Sequence, residues 1–219
     1  MNAHSAVKSI KLTTKTMVLN IALIIVAAAA CATAAIFAIQ GEIRDQVVES
    51  QSTSLRIAAD IFAENYPQLQ VTKKGSQVER IVIDQLPEFP NHEMIDRVGY
   101  LTGETATVFV WDDETKDFWR RTTNIKKDDG SRAVGTPLGQ KGAVYPVVTK
   151  GGTFRGEAVI LGKEYYTIYA PIFSAEGKVI GILYAGVLKS NINAVLGGRT
   201  TQPCIASAIA IMVTAGRPF

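Results

Sequence analysis

The sequence predicts an α+β protein: an N-terminal transmembrane helix that continues into a long helix, then a five-stranded, mostly antiparallel sheet with short helices. Three observations predict it. An uncharged apolar run fills residues 17–39. Apolar residues then recur at steps of three and four as far as Tyr66, the period of a helix with one buried face. Beyond Gly103 the pattern changes to alternating or continuous β-forming runs separated by short polar turns.

The run at 17–39 reads MVLNIALIIVAAAACATAAIFAI, with Asn20 as its one strongly polar side chain. A hydrocarbon core ~30 Å thick is crossed by roughly 20 helical residues, so the run is long enough to span. Lys8, Lys11 and Lys15 precede it without an acidic residue. Basic residues mark the side that stays in the cytoplasm, so residues 1–16 are expected inside a bacterial inner membrane and the chain from about residue 40 outside it. A cleaved signal peptide would share the basic start and the small residues Ala30-Cys31-Ala32. Its apolar region, however, spans only ~7–15 residues, and an uncleaved anchor is the expectation. Ala28, Ala32 and Ala35 would let two such helices approach closely; alanine is also simply tolerated in lipid, and both readings are open.

Composition excludes several function classes. The formal charge of the 219 residues is +3, yet Lys8, Lys11, Lys15 and Arg217 sit at the two ends, so the middle is close to neutral. A neutral middle has no electrostatic footprint for nucleic acid. The stretch between the apolar run and the tail, about 160 residues, suffices for one domain with a real core and not for two. The two cysteines, Cys31 and Cys204, lie far apart and lack metal-ligand spacing. His4 and His92 stand alone, His92 as a surface loop residue. There is no G-x-S-x-G, HExxH or Walker loop, and no regular ladder of oxygen ligands for calcium. Neither an enzyme nor a cofactor or metal is expected.

The elements follow in order. In residues 40–67, Ile43, Val47, Gln51, Leu55, Ala58, Ile61, Phe62 and Tyr66 form one helical stripe, and Pro67 ends the helix. The stripe must bury against its own domain or against the same helix of a second copy, so a homodimer through this helix is an expectation. Residues 68–196 are the main domain. A short strand or turn is expected near Val71, a short helix around 77–85 and a second one over 92–101. Strands follow at 105–111 and 118–124, joined by the polar turn Asp112-Asp113-Glu114-Thr115-Lys116-Asp117. After the turn at Asp128-Asp129-Gly130 and a loop with Gly135, Pro137 and Gly139 comes a helical turn at 143–149. Three strands with tight turns complete the sheet, at 153–161, 165–173 and 178–188.

A five-stranded sheet with helical excursions between its second and third strands is a PAS-like plan. Its segments GETATVF (103–109), FWRRTTN (118–124), DGSRAVGT (129–136), GEA (156–158), GKEYYTIYAPI (162–172) and GKVIGILYAGV (177–187) carry a family likeness in their order and spacing. The stretch from Gly103 to Val187, behind a membrane helix, resembles the extracytoplasmic Cache sensor domain of bacterial methyl-accepting chemotaxis receptors in its single-Cache (Cache 3/Cache 2 fusion) form. The resemblance implies a receptor that binds a small molecule outside the membrane. Binding would shift a second membrane helix, which drives a HAMP segment, a methyl-accepting coiled coil and through it a histidine kinase.

Candidate ligand-binding residues are Arg120, Thr122, Tyr165, Thr167, Tyr169 and Arg132. Arg120 stands where the family pattern has arginine, and a guanidinium holds a carboxylate through two parallel hydrogen bonds. Strand alternation puts Phe118, Arg120 and Thr122 on one face and Trp119, Arg121 and Thr123 on the other. The competing reading for Arg120 is an exposed strand arginine paired with Asp112 or Glu157. Tyr165, Thr167 and Tyr169 share one face of their strand; their hydroxyls either line a cleft for a small polar ligand or pack on the sheet with wet tips. Arg132 and Thr136 lie in the Gly-rich loop, which is either a lid or a set of turns. Trp111 and Trp119 are expected to be core. The expected partner is a small organic ligand, a carboxylate being the favoured class.

The tail departs from the family. Residues 204–215 (CIASAIAIMVTA) are apolar but too short to span, so 197–219 reads as an incomplete second membrane segment. The expectation is a chain truncated before its HAMP and signalling regions, with kinase coupling only through a missing C-terminal part. Alternatives are the sensor of a histidine kinase or nucleotide cyclase, or an anchored interaction protein that senses nothing.

Overall fold

The computed structural model describes residues 3–191; the apolar stretch 204–215 and the rest of the tail lie outside them. The chain divides into two units, 1–46 and 47–219.

In the first unit the chain is helical, as part of α1 (Ala3–Asn65). Thr14–Ala38 has a mean hydropathy of 2.6 and is long and apolar enough to cross a membrane. Thr33 turns its hydroxyl back onto the carbonyls of Ala29 (3.1 Å) and Ala30 (2.8 Å), which leaves no bare donor on an apolar surface.

The second unit is a mixed sheet with helices. Its strands are β1 (Gln70–Lys74), β2 (Gln77–Val82), β3 (Thr105–Asp112), β4 (Asp117–Thr123), β5 (Phe154–Ile160), β6 (Lys163–Phe173) and β7 (Val179–Leu188), in the order β1-β2-β6-β7-β3-β4 with β5 also on β6. Seven strands replace the expected five. The addition is the β1–β2 hairpin, where a helix was expected around 77–85. Gly75, at φ 61°, turns the chain, and Val78, Ile81 and Val82 are β-branched residues with too little chain to make a stable helix. The end of β2 runs parallel to the end of β6, Ile81 opposite Ile172 and Val82 opposite Phe173; the other strand pairs are antiparallel. β6 shares one edge between two strands: β5 takes Lys163 to Tyr169, and β2 takes Ile172 and Phe173.

Helix α2 (Glu93–Thr102) falls where a helix was expected over 92–101; it buries Met94, Ile95 and Val98 and stops at Gly103, whose φ of 70° suits glycine. A short helix, α3 (Tyr145–Val148), lies within the expected turn at 143–149.

The sheet separates two cores. On one face Leu55, Ala58, Ile61 and Phe62 of α1 and Met94, Ile95 and Val98 of α2 pack on Ala106, Val108, Ile168, Ala170, Ile172, Leu183 and Ala185. From Leu55 to Phe62 the stripe on α1 is therefore buried within its own domain. Burying Leu55 and Phe62 completely contributes roughly 2–3 kcal/mol each. On the other face an aromatic core of Phe109, Phe118, Tyr169, Ile182 and Tyr184 lies under Ile125, Ala133 and Val148 of the covering segment 124–152.

Candidate functional site

The aromatic face holds Arg120. Its backbone is paired with the covering segment: Arg120 N–H donates to the Thr136 carbonyl (3.0 Å), and the Arg120 carbonyl accepts from Gly135 N–H (2.9 Å). One guanidinium nitrogen, Nη1, donates to Thr136 Oγ1 (2.9 Å) and to the Ala133 carbonyl (3.3 Å). The guanidinium carbon stands 5.1 Å from the centre of the Phe109 ring, a cation–π arrangement. No carboxylate reaches it among the described residues, neither Asp112 nor Glu157, and Nε is fully buried without a hydrogen-bond partner. Burial lowers the guanidinium's pKa from its ordinary value, with Tyr169 and Tyr184 acting in the opposite sense.

The tyrosines form a tier beside it. Tyr169 packs 4.9 Å from Tyr184, 6.1 Å from Phe154 and 6.4 Å from Phe109, measured between ring centres. Burial pushes the Tyr169 phenol up to about 12, Arg120 opposing it, and raises Tyr184 as well. Both phenols stay neutral hydrogen-bond donors at physiological pH. The Tyr184 hydroxyl meets Thr105 Oγ1 at 3.2 Å. Gly186 makes room for that ring: a Cβ there would lie 1.9 Å from the Tyr184 hydroxyl oxygen. Farther along, Tyr165 and Thr105 help line a cavity of about 240 Å3 with Asn124, Lys126, Asp128, Ile160 and Lys163 among its walls.

The structure brings together Arg120 and Tyr169, with Tyr165 at the far end of the same face. It separates the others. Arg120 pairs with Phe109 and Thr122 with Val108, so Arg121 is the extra residue of a β-bulge. The bulge resets the alternation, and Arg120 and Thr122 point to opposite faces, contrary to the expected pattern. Thr122 faces α2, where its hydroxyl meets His92 Nδ1 at 2.8 Å; His92 is thus half-buried rather than a free loop residue, and burial lowers its pKa. Thr167 is on the aromatic face, but its hydroxyl donates to the Gly156 carbonyl (3.0 Å). Arg132 holds Asp96 of α2 through two bonds of 2.7 Å and donates to the Thr123 carbonyl (2.8 Å). It ties the covering segment to α2. Trp111 packs edge-on to Phe118 at 4.9 Å, and both indoles send their N–H to the turn, Trp111 to Asp113 (2.9 Å) and Trp119 to Thr115 (2.8 Å).

Sequence reasoning missed two participants, Phe109 and Tyr184, which were legible only through pairing: Phe109 lies opposite both Arg120 and Ile182, and Tyr184 opposite Tyr169. It also missed a polar stripe on α1. Gln51 Nε2 donates to the buried Thr167 carbonyl (3.1 Å), Ser52 Oγ accepts from Arg155 (3.0 Å), and Ser50 (3.1 Å) and Ser54 donate to the Glu104 carboxylate. Burial raises the pKa of Glu104, the two serines opposing the shift. Among the described residues no group of three or more His, Cys, Asp or Glu side chains is arranged to hold a metal.

Comparison with known proteins adds the family. None of the curated proteins matches the chain. Solved structures similar to it include the sensor domain of Escherichia coli DcuS (15% identity, 48% of this chain and 71% of that one, TM-score 0.36). Two others are the periplasmic domain of RsbU from Chlamydia trachomatis (11%, 72% and 56%, TM-score 0.41) and the periplasmic sensory domain of the Campylobacter jejuni chemoreceptor Tlp1 (11%, 76% and 61%, TM-score 0.36). The model of the Cache 3/Cache 2 fusion domain matches residues 32–202, most of the chain, and the protein belongs to that family of sensor domains.

Proposed function

We propose that this protein is a membrane-anchored extracytoplasmic sensor that takes a small carboxylate at Arg120. The observation that carries the reading is a half-buried guanidinium with no carboxylate beside it and a fully buried Nε without a partner. A charge in that position is costly unless something completes it, and a carboxylate supplies two acceptors to the guanidinium fork. The neutral phenol of Tyr169 is the proposed polar contact on the rest of the ligand, while Tyr165 lines the cavity at the far end of the face. Thr122, Thr167 and Arg132 already have protein partners and act in this reading as supports of the site.

The test is thermal unfolding of the full chain in detergent against a panel of organic acids. A ligand that binds only the folded state raises the midpoint with concentration. At least one acid is expected to do so, Arg120→Ala to abolish the rise, and Arg121→Ala, on the exposed bulge, to keep it. A panel without any rise, or a rise that survives Arg120→Ala, sinks the carboxylate reading. For output we propose chemotaxis, ahead of a histidine kinase or a nucleotide cyclase, on the family resemblance. The reading frame downstream of Phe219 discriminates them, a HAMP segment with a methyl-accepting coiled coil being the expected finding.

A further inference from the structure

The cavity of about 240 Å3 at the far end of the aromatic face is walled by the start of β3, the stretch 124–128 and the turn between β5 and β6. Several of its polar groups are left without partners by the protein. Tyr165 is only 7% exposed, yet its hydroxyl has no hydrogen-bond partner among the described residues. A polar group taken out of water without a partner carries a cost, and the cavity is where a partner can stand. Lys126, Lys163 and Asp128 line the same cavity, and none of the three forms an ion pair or a side-chain hydrogen bond among the described residues. The acids beside Lys163 are taken by another cation: Lys189 holds Glu157 (2.6 Å) and Glu164 (3.9 Å). The rest of the wall that matters is apolar, from Ile125, Ile160 and Leu161. Leu161 sits in its turn at φ 49°, where Asn, Asp or Gly is favoured, and its side chain completes that wall.

The cavity is separate from the Arg120 site. Phe109, under the guanidinium, is four residues from Thr105 on β3, and Tyr169 is four from Tyr165 on β6, ~13 Å at the rise of a strand in both cases. Tyr184 fills the interval, with its ring 4.9 Å from that of Tyr169 and its hydroxyl 3.2 Å from Thr105 Oγ1. The volume equals that of roughly eight waters of the liquid, so an occupant is small. A plain anion there would face Asp128, and a plain cation would face two lysines. A molecule that carries both charges gives each group its complement.

We propose that this cavity is a second binding site, for a small zwitterion with an ammonium and a carboxylate on a short aliphatic body. Lys126, Lys163 and the Tyr165 hydroxyl take the carboxylate, Asp128 takes the ammonium, and Ile125, Ile160 and Leu161 cover the body. The site does not rest on the Arg120 reading. The test is isothermal titration calorimetry of the full chain in detergent with L-valine, which matches the volume, and with L-alanine and L-leucine to either side of it. Two further probes each lack one charge of valine, 3-methylbutanoate without the ammonium and 2-methylpropylamine without the carboxylate. At least one of the three amino acids is expected to bind, and the single-charge probes to bind about tenfold more weakly or worse than L-valine. Asp128→Asn and Lys163→Gln are each expected to weaken that amino acid about tenfold, and Tyr165→Phe, which removes the hydroxyl alone, about fivefold. Asp128 and Lys163 are exposed, so their variants are expected to melt as the parent does. No heat with any of the three amino acids, 3-methylbutanoate binding as tightly as L-valine, or an affinity unchanged in both Asp128→Asn and Lys163→Gln each overturns the site. Amino-acid binding lost in Arg120→Ala places the ligand at the guanidinium and overturns the second site alone; an affinity that survives Arg120→Ala and falls in Asp128→Asn supports it.

Discussion

Arg120 is a half-buried charge whose pairing is incomplete. It has two acceptors on one nitrogen, an aromatic ring below and a bare Nε. Replacing a buried, incompletely paired charge by an apolar side chain of similar volume is often neutral or stabilising. Arg120→Met is therefore expected to raise the stability of the ligand-free protein by ~1 kcal/mol, the loss of two hydrogen bonds offsetting part of the gain, and to remove every acid-dependent shift. Chemical denaturation with and without the acid checks both halves. Glu104 makes the second residue-scale prediction. Burial raises its pKa from 4.5, so the folded state keeps the proton to higher pH than the unfolded chain. Its contribution is then fully present below pH 4.5 and is lost as pH rises through the raised value. Glu104→Gln should flatten that fall in melting temperature; a pH profile in which wild type and variant run parallel would refute it.

At the scale of elements, α2 and the hairpin β3–β4 were legible because their signals are local: a short amphipathic run ended by glycine, and two β-forming runs around an acidic turn. The β1–β2 hairpin was not, since its polar residues outnumber the apolar ones and its place is settled by the parallel contact with β6. The bulge at Arg121 was not legible either, for no residue type marks it, and one unpaired residue was enough to send Thr122 to the opposite face from Arg120. Arg132 shows the same limit: its loop could be read, its partner Asp96 could not. That pair joins the covering segment to α2 with partial exposure on both sides. A double-mutant cycle with Asp96→Ala and Arg132→Ala should give a coupling of ~0.5–1 kcal/mol. Hydrogen exchange of segment 124–139 should rise in either single variant; unchanged exchange there would leave Arg132 without its role as a tie.

For the whole molecule, the two faces of one sheet do different work. One buries aliphatic groups under α1 and α2, and the other places an incompletely paired arginine among phenols. β6 touches both: its Tyr165, Thr167 and Tyr169 point to the aromatic face while the Thr167 carbonyl accepts a hydrogen bond from Gln51 of α1. Here α1 is buried and also tied by hydrogen bonds, Ser50 and Ser54 donating to Glu104, Gln51 donating to the Thr167 carbonyl and Ser52 accepting from Arg155, whereas from Leu55 to Phe62 it is held mainly by apolar packing. Hydrogen bonds exchange partners at little net cost, ~1 kcal/mol each, and packed aliphatic groups do not slide so readily. In the proposed reading, the stretch from Val47 to Ser54 is the part of α1 that responds when the aromatic face takes a ligand. Gln51→Ala should separate binding from response. In the variant an active acid still raises the melting temperature, since Arg120 is untouched, but the acid-dependent change in hydrogen exchange over 47–54 disappears. Glu49, two residues away and exposed, supplies the control, and Glu49→Ala is expected to leave both readouts as in the parent. An acid-dependent exchange change that persists in Gln51→Ala would mean that the helix senses the ligand by another route than the Thr167 carbonyl.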